Sequence, residues 1–158
     1  MTSNHLLVGD IVNKNSFTIK LHETIRDAAL LISRSQATDL MVIDDDNHFI
    51  GVLSEGDLVR AIIPNFNEFV QLANGTLANA YQEFLDVGHK IANQPINQYI
   101  VRNAVTLNSH DELLKVAVVM VTKHIRRLPV VDNGKLVGTV SRADVCQAIF
   151  GVKYLHDV

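Results

Sequence analysis

The sequence has one cysteine, Cys146, so no disulfide can close within the chain, and a reducing compartment suits it. It has no basic excess. Lys and Arg number 14 against 17 Asp and Glu, a formal net charge of −3, where a nucleic-acid footprint would be positive. No apolar run approaches the roughly 18 residues of a membrane-spanning helix. Met1 to His5 lack the basic stretch that opens a signal peptide. The seven histidines (His5, His22, His48, His89, His110, His124 and His156) show no metal-binding spacing among themselves or with the cysteine. There is no Walker loop, no G-x-G-x-x-G and no nucleophile elbow, and nothing nominates an acid–base pair with tuned pKa values. These absences argue for a cytoplasmic protein that is not an enzyme, holds no metal and has no nucleic-acid or membrane partner.

What is present is an ordered, globular composition, 47% hydrophobic and 20% charged. A chain of 158 residues suits one compact domain or two small halves sharing a core. An internal repeat decides for two halves. At an offset of 88 residues Thr18 meets Thr106, His22 meets His110, Ala29 meets Ala117, Leu40 meets Leu128, Val42 meets Val130 and Asp44 meets Asp132. After Asp45 the offset becomes 87. Gly51 then meets Gly138, Ser54 meets Ser141, Asp57 meets Asp144, and Ala61-Ile62 meets Ala148-Ile149. The slip falls in a turn, where an insertion is tolerated.

Each copy reads as one β-α-β-β-α unit. Ile25, Ala28, Ala29 and Ile32, like Leu113, Val116, Ala117 and Met120, form the apolar face of a helix. Short β-rich runs follow, Leu40-Met41-Val42-Ile43 and Leu128-Pro129-Val130-Val131. A hairpin turn comes next, Asn133-Gly134 in the second copy. The returning strands run from Phe49 to Leu53 and from Lys135 to Val140, and helices begin at Ser54 and Ser141. Phe17-Thr18-Ile19 and Val105-Thr106-Leu107 read as an extra strand before each unit. Cys146 falls on the last helix, where a packed thiol is expected. The fold class is therefore α+β (α/β), with two such repeats packed sheet to sheet in pseudo-twofold symmetry, because one small unit cannot bury its own sheet face. The boundaries are 6–63 for the first repeat, 64–95 for a helical insertion and 96–152 for the second. In the insertion Phe66, Phe69, Val70 and Ala73, then Leu77, Ala80, Tyr81, Phe84 and Leu85, give two helices broken at Asn74-Gly75, expected to cover the module or line a dimer contact.

Two readings of Ser54-x-x-Asp57 and Ser141-x-x-Asp144 stand side by side. One is a capping box, in which Ser caps the helix and Asp reaches back. The other is a ligand site, because a helix N-terminus offers free N–H groups and partial positive charge to an anion. Lys123-His124-Ile125-Arg126-Arg127 adds cationic side chains before a core strand, and Arg142 stands beside Ser141. Arginine forks suit phosphate oxygens. The matching positions of the first copy, Ser35, Gln36, Thr38 and Asp39, are not basic, so the two sites differ.

Leu128-Pro129-Val130-Val131-Asp132 with Gly138-Thr139-Val140-Ser141-Arg142-Ala143-Asp144, and Gly51-Val52-Leu53-Ser54-Glu55-Gly56-Asp57, resemble the signature of the cystathionine-β-synthase (CBS) domain. The resemblance covers residues 8–150 apart from the insertion and matches a stand-alone CBS pair, or Bateman module. It implies a regulatory module that senses AMP, ADP or ATP in a cleft between the repeats and passes ligand state to an unidentified partner protein, an energy-sensing role with no resident cofactor. It further implies that Asp57 and Asp144 accept hydrogen bonds from the ribose hydroxyls, with Ser54 and Ser141 near ribose or phosphate. Arg126, Arg127, Arg142 and His124 would stand toward the phosphate. The adenine would lie along the backbone near Phe17, Thr18, Val105 and Thr106. Such pairs bury a helical face in a homodimer, here expected near Ala61, Ile62, Ala148 and Ile149. The alternatives are a sensor of S-adenosylmethionine or of a cyclic dinucleotide, and a ligand-free dimerisation module.

Overall fold

The computed structural model describes residues 5–63, 65–72 and 75–151. In the first half, β1 (Thr18–Lys20), α2 (Ile25–Ser35), β2 (Asp39–Ile43), β3 (Phe49–Ser54) and α3 (Glu55–Ile62) follow a short helix α1 (Val8–Ile11). The insertion forms α4 (Phe66–Leu72) and α5 (Leu77–Ile91), and a 3₁₀ turn spans Ile96–Gln98. The second half adds α6 (Leu113–Thr122), β4 (Arg127–Asp132), β5 (Lys135–Ser141) and α7 (Arg142–Phe150). The expected order of elements is present in both copies. The expected insertion helices are present too. Pro64, Ala73, Asn74 and the side chains of Phe66 and Phe69, on which the reading of the insertion partly leaned, lie outside the described residues, as do Met1 to Asn4, Val152 and His156. No described helix is long and apolar enough to cross a membrane.

β1 pairs in parallel with β2, Thr18 opposite Met41, and the sheet order is β1-β2-β3. β4 and β5 form an antiparallel ladder that sets Arg127 opposite Ser141. The extra strand of the second copy shrinks to a parallel bridge between Leu107 and Val130. It still makes the two bonds that matter, Leu107 N to Pro129 O and Val131 N to Leu107 O, both 2.8 Å. The helices end alike. Gln36 after α2 and His124 after α6, equivalent at the offset of 88, both take φ of 55°, a left-handed turn that stops the helix. On α2, Ile25 and Ala28 are buried and Leu31 and Ile32 half-buried, but Ala29 is exposed. Ala29 therefore leaves the expected apolar face, because Leu31 takes the inward position instead. Cys146 is exposed, which overturns the packed thiol: on α7 the inward positions are Asp144 and Val145, and residue 146 turns away from them.

The chain divides into two compact units whose members do not follow the order of the repeats. One holds the residues up to Ser16, Asp45–Phe49 and the residues from Asn103 onward; the other holds Phe17–Asp44 and Ile50–Arg102. Val8, at the head of the first repeat, is fully buried in a core with Leu107, Val116, Leu128, Val130 and Val140. Ile96, its equivalent at the head of the second repeat, is fully buried with Ile19, Leu40, Val42 and Leu53. Each repeat thus lends its leading segment to the core of the other. The backbone bonds are reciprocal. Asn13 N donates to Thr139 O and Thr139 N to Asn13 O, both at 2.9 Å, while Val101 and Val52 exchange bonds of 2.8 and 3.1 Å.

That crossing explains the signature glycines. A Cβ on Gly138 would stand 2.3 Å from Asn13 O and 2.9 Å from Val12 Cγ2, and one on Gly51 would stand 2.5 Å from Val101 O. The obstruction is backbone, which cannot swing aside. Gly138→Ala and Gly51→Ala should each destabilise the protein by about 1–3 kcal/mol in denaturant titration. Gly88, in the interior of α5 with nothing within 4 Å of a built Cβ, is the control. Gly88→Ala should stabilise by roughly 0.5–1 kcal/mol.

Candidate ligand site

In each half the returning strand runs straight into a helix, and one pair of residues makes the corner. Ser54 is extended (φ −98°, ψ 162°) and caps α3; Ser141 (φ −102°, ψ 167°) caps α7 in the same way. Ser54 N and Oγ–H donate to Asp57 Oδ2 at 2.8 and 2.6 Å, and Asp57 N donates to Ser54 Oγ at 3.2 Å. In the second half Ser141 N and Oγ–H donate to Asp144 Oδ2 at 2.6 and 2.7 Å, and Asp144 N donates back at 3.2 Å. These are full capping boxes, so the capping reading of the motif holds in both copies. Asp144 is 6% exposed.

The strand before each hairpin completes the frame. Thr38 O accepts from Glu55 N, and Arg126 O accepts from Arg142 N, both at 3.0 Å. The two corners therefore share a backbone, and they differ in side chains. In the first, the Thr38 hydroxyl donates to Asp39 Oδ2 at 2.7 Å, and the guanidinium of Arg60, one turn along α3, donates to Asp57 Oδ1. In the second, Arg127 Nη1 donates to the hydroxyl of the fully buried Thr139 at 3.1 Å. Arg142 donates from Nε to Ile125 O at 3.1 Å and from Nη2 to Met120 O at 3.2 Å. That places a cation at the C-terminal end of α6, where the helix dipole favours it.

The structure brings Ser141, Asp144, Arg127 and Arg142 to one corner, and Ser54 and Asp57 to the other. Arg126 joins the second corner through its carbonyl, and its side chain is exposed. Thr18 lies exposed at the start of β1, and Phe17 O accepts from Met41 N at 2.9 Å. Val105 is packed against the core of its unit, and Thr106 is exposed. His124 is exposed and serves as the left-handed stop after α6. Sequence reasoning missed Arg60 and Thr139. A signal existed for Arg60, which stands three residues after Asp57 on a helix, the spacing of an ion pair. Thr139 left none, because its role depends on which strand lies opposite. Among the described residues no group of histidine, cysteine and carboxylate side chains is placed to hold a metal.

Asp57 sits below the ordinary carboxylate value of 3.8. Burial opposes this, but the side-chain and backbone hydrogen bonds from Ser54, then Arg60, outweigh it.

Two copies of a β-hairpin running into a capped helix, each borrowing its leading segment from the other copy, define a tandem-repeat fold. The chain belongs to the CBS domain family, whose model matches residues 8–64 and 96–151. It is 30% identical over 168 residues to the CBS domain-containing protein CBSX2, chloroplastic, of Arabidopsis thaliana, covering 92% of this chain and 64% of that one. The crystal structure of CBSX2 in complex with AMP superposes with a TM-score of 0.70 at 26% identity, covering 94% of this chain and 98% of that chain. The protein MJ1225 of Methanocaldococcus jannaschii is 26% identical over 137 residues, 87% of this chain. This chain spans 40% of MJ1225 and 25% of a homoserine O-acetyltransferase of Methanococcus vannielii to which it is 27% identical.

The lowered pKa of Asp57 fixes a sign. A carboxylate held below 3.8 adds stability that is fully present above that value and is lost as pH falls through the lowered pKa. Asp57→Asn should therefore cost stability near neutrality, and the gap to the parent should close in melting curves taken from about pH 6 down to about pH 2. Ser54→Ala should cost roughly 0.5–2 kcal/mol, the range for removing an N-cap.

Proposed function

We propose that this chain is a non-enzymatic regulatory module that binds an adenosine nucleotide (AMP, ADP or ATP) at its Ser-x-x-Asp corners and passes ligand state to a partner protein. The observation that carries this reading is the duplicated corner itself. A capped helix N-terminus, a carboxylate and, in the second copy, Arg127 stand together at the end of the same hairpin. Folding needs only the cap, and arginine at that place adds nothing to a cap. An arginine fork beside a helix N-terminus is a phosphate-binding arrangement. The AMP complex of CBSX2, a family member at 26% identity, supports the choice of ligand. In this reading Asp57 and Asp144 take the ribose hydroxyls, Ser54 and Ser141 lie close by, and Arg126 and Arg127 meet the phosphate with Arg142 and His124 at its edge. Thr18, Val105 and Thr106 offer backbone to the adenine. We assign the repeats to 6–63 and 96–152 with 64–95 as a linking insertion, and we place the protein in the cytoplasm, where a single unpaired thiol is at ease.

The same reading includes a homodimer. Its contact lies on α6 and α7, where Leu114, Val118 and Val121 at helical spacing and Ile149 and Phe150 are exposed by 52–74%. Beside them a groove of about 360 Å³ is lined by Leu6, Leu113, Leu114, Ala117 and Ile149. Of the face expected from sequence, Ile149 is exposed, whereas Ala61, Ile62 and Ala148 are half-buried.

Two measurements test this. Calorimetric titration of Asp144→Asn and Asp57→Asn with AMP should show a ten- to hundredfold loss at whichever corner is occupied, the worth of a hydrogen bond to a charged group. Asparagine replaces one of the two acceptors by a donor. The melting curve should move by no more than about 1 kcal/mol. If both mutants and the double mutant bind as the parent does, the aspartates are caps alone. Light scattering should give a dimer for the parent and a monomer for Val121→Glu, a change at an exposed position that leaves the fold intact; a parent that is already monomeric removes the dimer.

A further inference from the structure

The two corners share one backbone and differ in charge at three equivalent positions, with opposite sign at two of them. Where the first has Thr38, Asp39 and Glu55, the second has Arg126, Arg127 and Arg142. The equivalence is structural as well as sequential, since the Thr38–Glu55 and Arg126–Arg142 backbone bonds are both 3.0 Å and close the same corner. Asp39 opens β2 as Arg127 opens β4. The difference is built into the neighbours. Arg127 is anchored on the buried hydroxyl of Thr139, and the first copy has Val52 in the place of Thr139. Asp57 is paired with Arg60, and the second copy has Gln147 at that place. Even with Arg60 counted, the first corner is net negative and the second net positive.

We propose that the two sites sort adenosine compounds by the charge of the 5′ substituent. The second repeat takes the phosphorylated compound, and the first takes an adenosine derivative whose 5′ group is neutral or cationic, such as a thioether or a sulfonium. This rests on the nucleotide-binding reading of the Ser-x-x-Asp corners and adds the ligand class of each. Like charge placed beside like charge is the means by which a site rejects a near-identical ligand. A 5′-phosphate on a ribose held by Asp57 would lie beside Asp39 and Glu55. The same phosphate on a ribose held by Asp144 meets Arg127 and Arg126. Arg60 does not reverse this. Its side chain is 71% exposed against 13% for that of Asp57, so the arginine can swing into water while Asp57 stays in place.

Calorimetry on the full chain tests the sorting with three probes: AMP, 5′-methylthioadenosine and S-adenosylmethionine. The expected result is one AMP per chain, with S-adenosylmethionine and 5′-methylthioadenosine each binding the AMP-saturated protein at a second site. Arg126→Ala with Arg127→Ala should weaken AMP by tenfold or more and leave S-adenosylmethionine unchanged, which also shows that the variant is folded. Asp39→Asn with Glu55→Gln should weaken S-adenosylmethionine, leave 5′-methylthioadenosine unchanged and admit a second AMP. Competition of AMP and S-adenosylmethionine for a single site, or equal shifts of both ligands in either variant, would overturn the sorting while leaving nucleotide binding in place. If none of the three probes binds, the nucleotide reading falls and the sorting falls with it.

Discussion

The structure turns on a place where two backbones come too close for a side chain. The carbonyl of Asn13 occupies the space a Cβ on Gly138 would need, and the carbonyl of Val101 does the same at Gly51. Because that approach is possible, the leading segment of each repeat can hydrogen-bond along the returning strand of the other. Because it bonds there, Val8 and Ile96 reach cores that their own repeats could not complete. A small sheet with an uncovered edge is marginal alone. The exchange gives each core residues from both repeats. The same strand, three residues beyond the glycine, delivers the serine that starts the helix. The spacing from glycine to serine to aspartate is therefore one mechanical sequence: close approach, corner, cap.

The cap and the candidate site are made of the same atoms, which limits what each can do. In both copies Asp Oδ2 already accepts from the serine N–H and hydroxyl. A carboxylate oxygen has two lone pairs, so Oδ2 is saturated and a ligand must be met chiefly through Oδ1 or by exchange with the serine hydroxyl. At the first corner Oδ1 is engaged by Arg60. In the proposed nucleotide reading a ribose there would displace Arg60 and leave the cap in place. In that reading, folding and binding are separable at Asp57 by which oxygen is used.

Much of this was legible in the sequence, because a repeat supplies each reading twice. The offset from Thr18 to Thr106 and from Ser54 to Ser141 placed the strands and helices, and the Ser-x-x-Asp spacing predicted the capping boxes that are found. The exchange of leading segments was not legible. Hydrophobic patterning tells which face of Val8–Ile11 is apolar and says nothing of which copy of an identical core receives it. Ala29 and Cys146 were misplaced for a related reason. On a helix in contact on one narrow stripe, a small residue fits the apolar pattern whether or not it faces inward. The anchoring of Arg127 on Thr139 and of Arg142 on the carbonyls of α6 needed the third dimension, since each joins residues from different elements.

Duplication also explains where the two halves were free to diverge. The glycines, serines and aspartates are held by geometry that both copies need, so they recur. Positions such as 39, 55, 127 and 142 bear no comparable backbone constraint, and there the copies carry opposite charge. The helices diverge in the same way. α2 presents Arg26, Leu30 and Ser33 where α6 presents Leu114, Val118 and Val121, although both bury Ile25 or its equivalent Leu113 beneath. The inner face of each repeat answers to the fold and stayed alike. The outer face is free of that demand, and there α6 is apolar where α2 is mixed, the difference on which the proposed dimer contact rests.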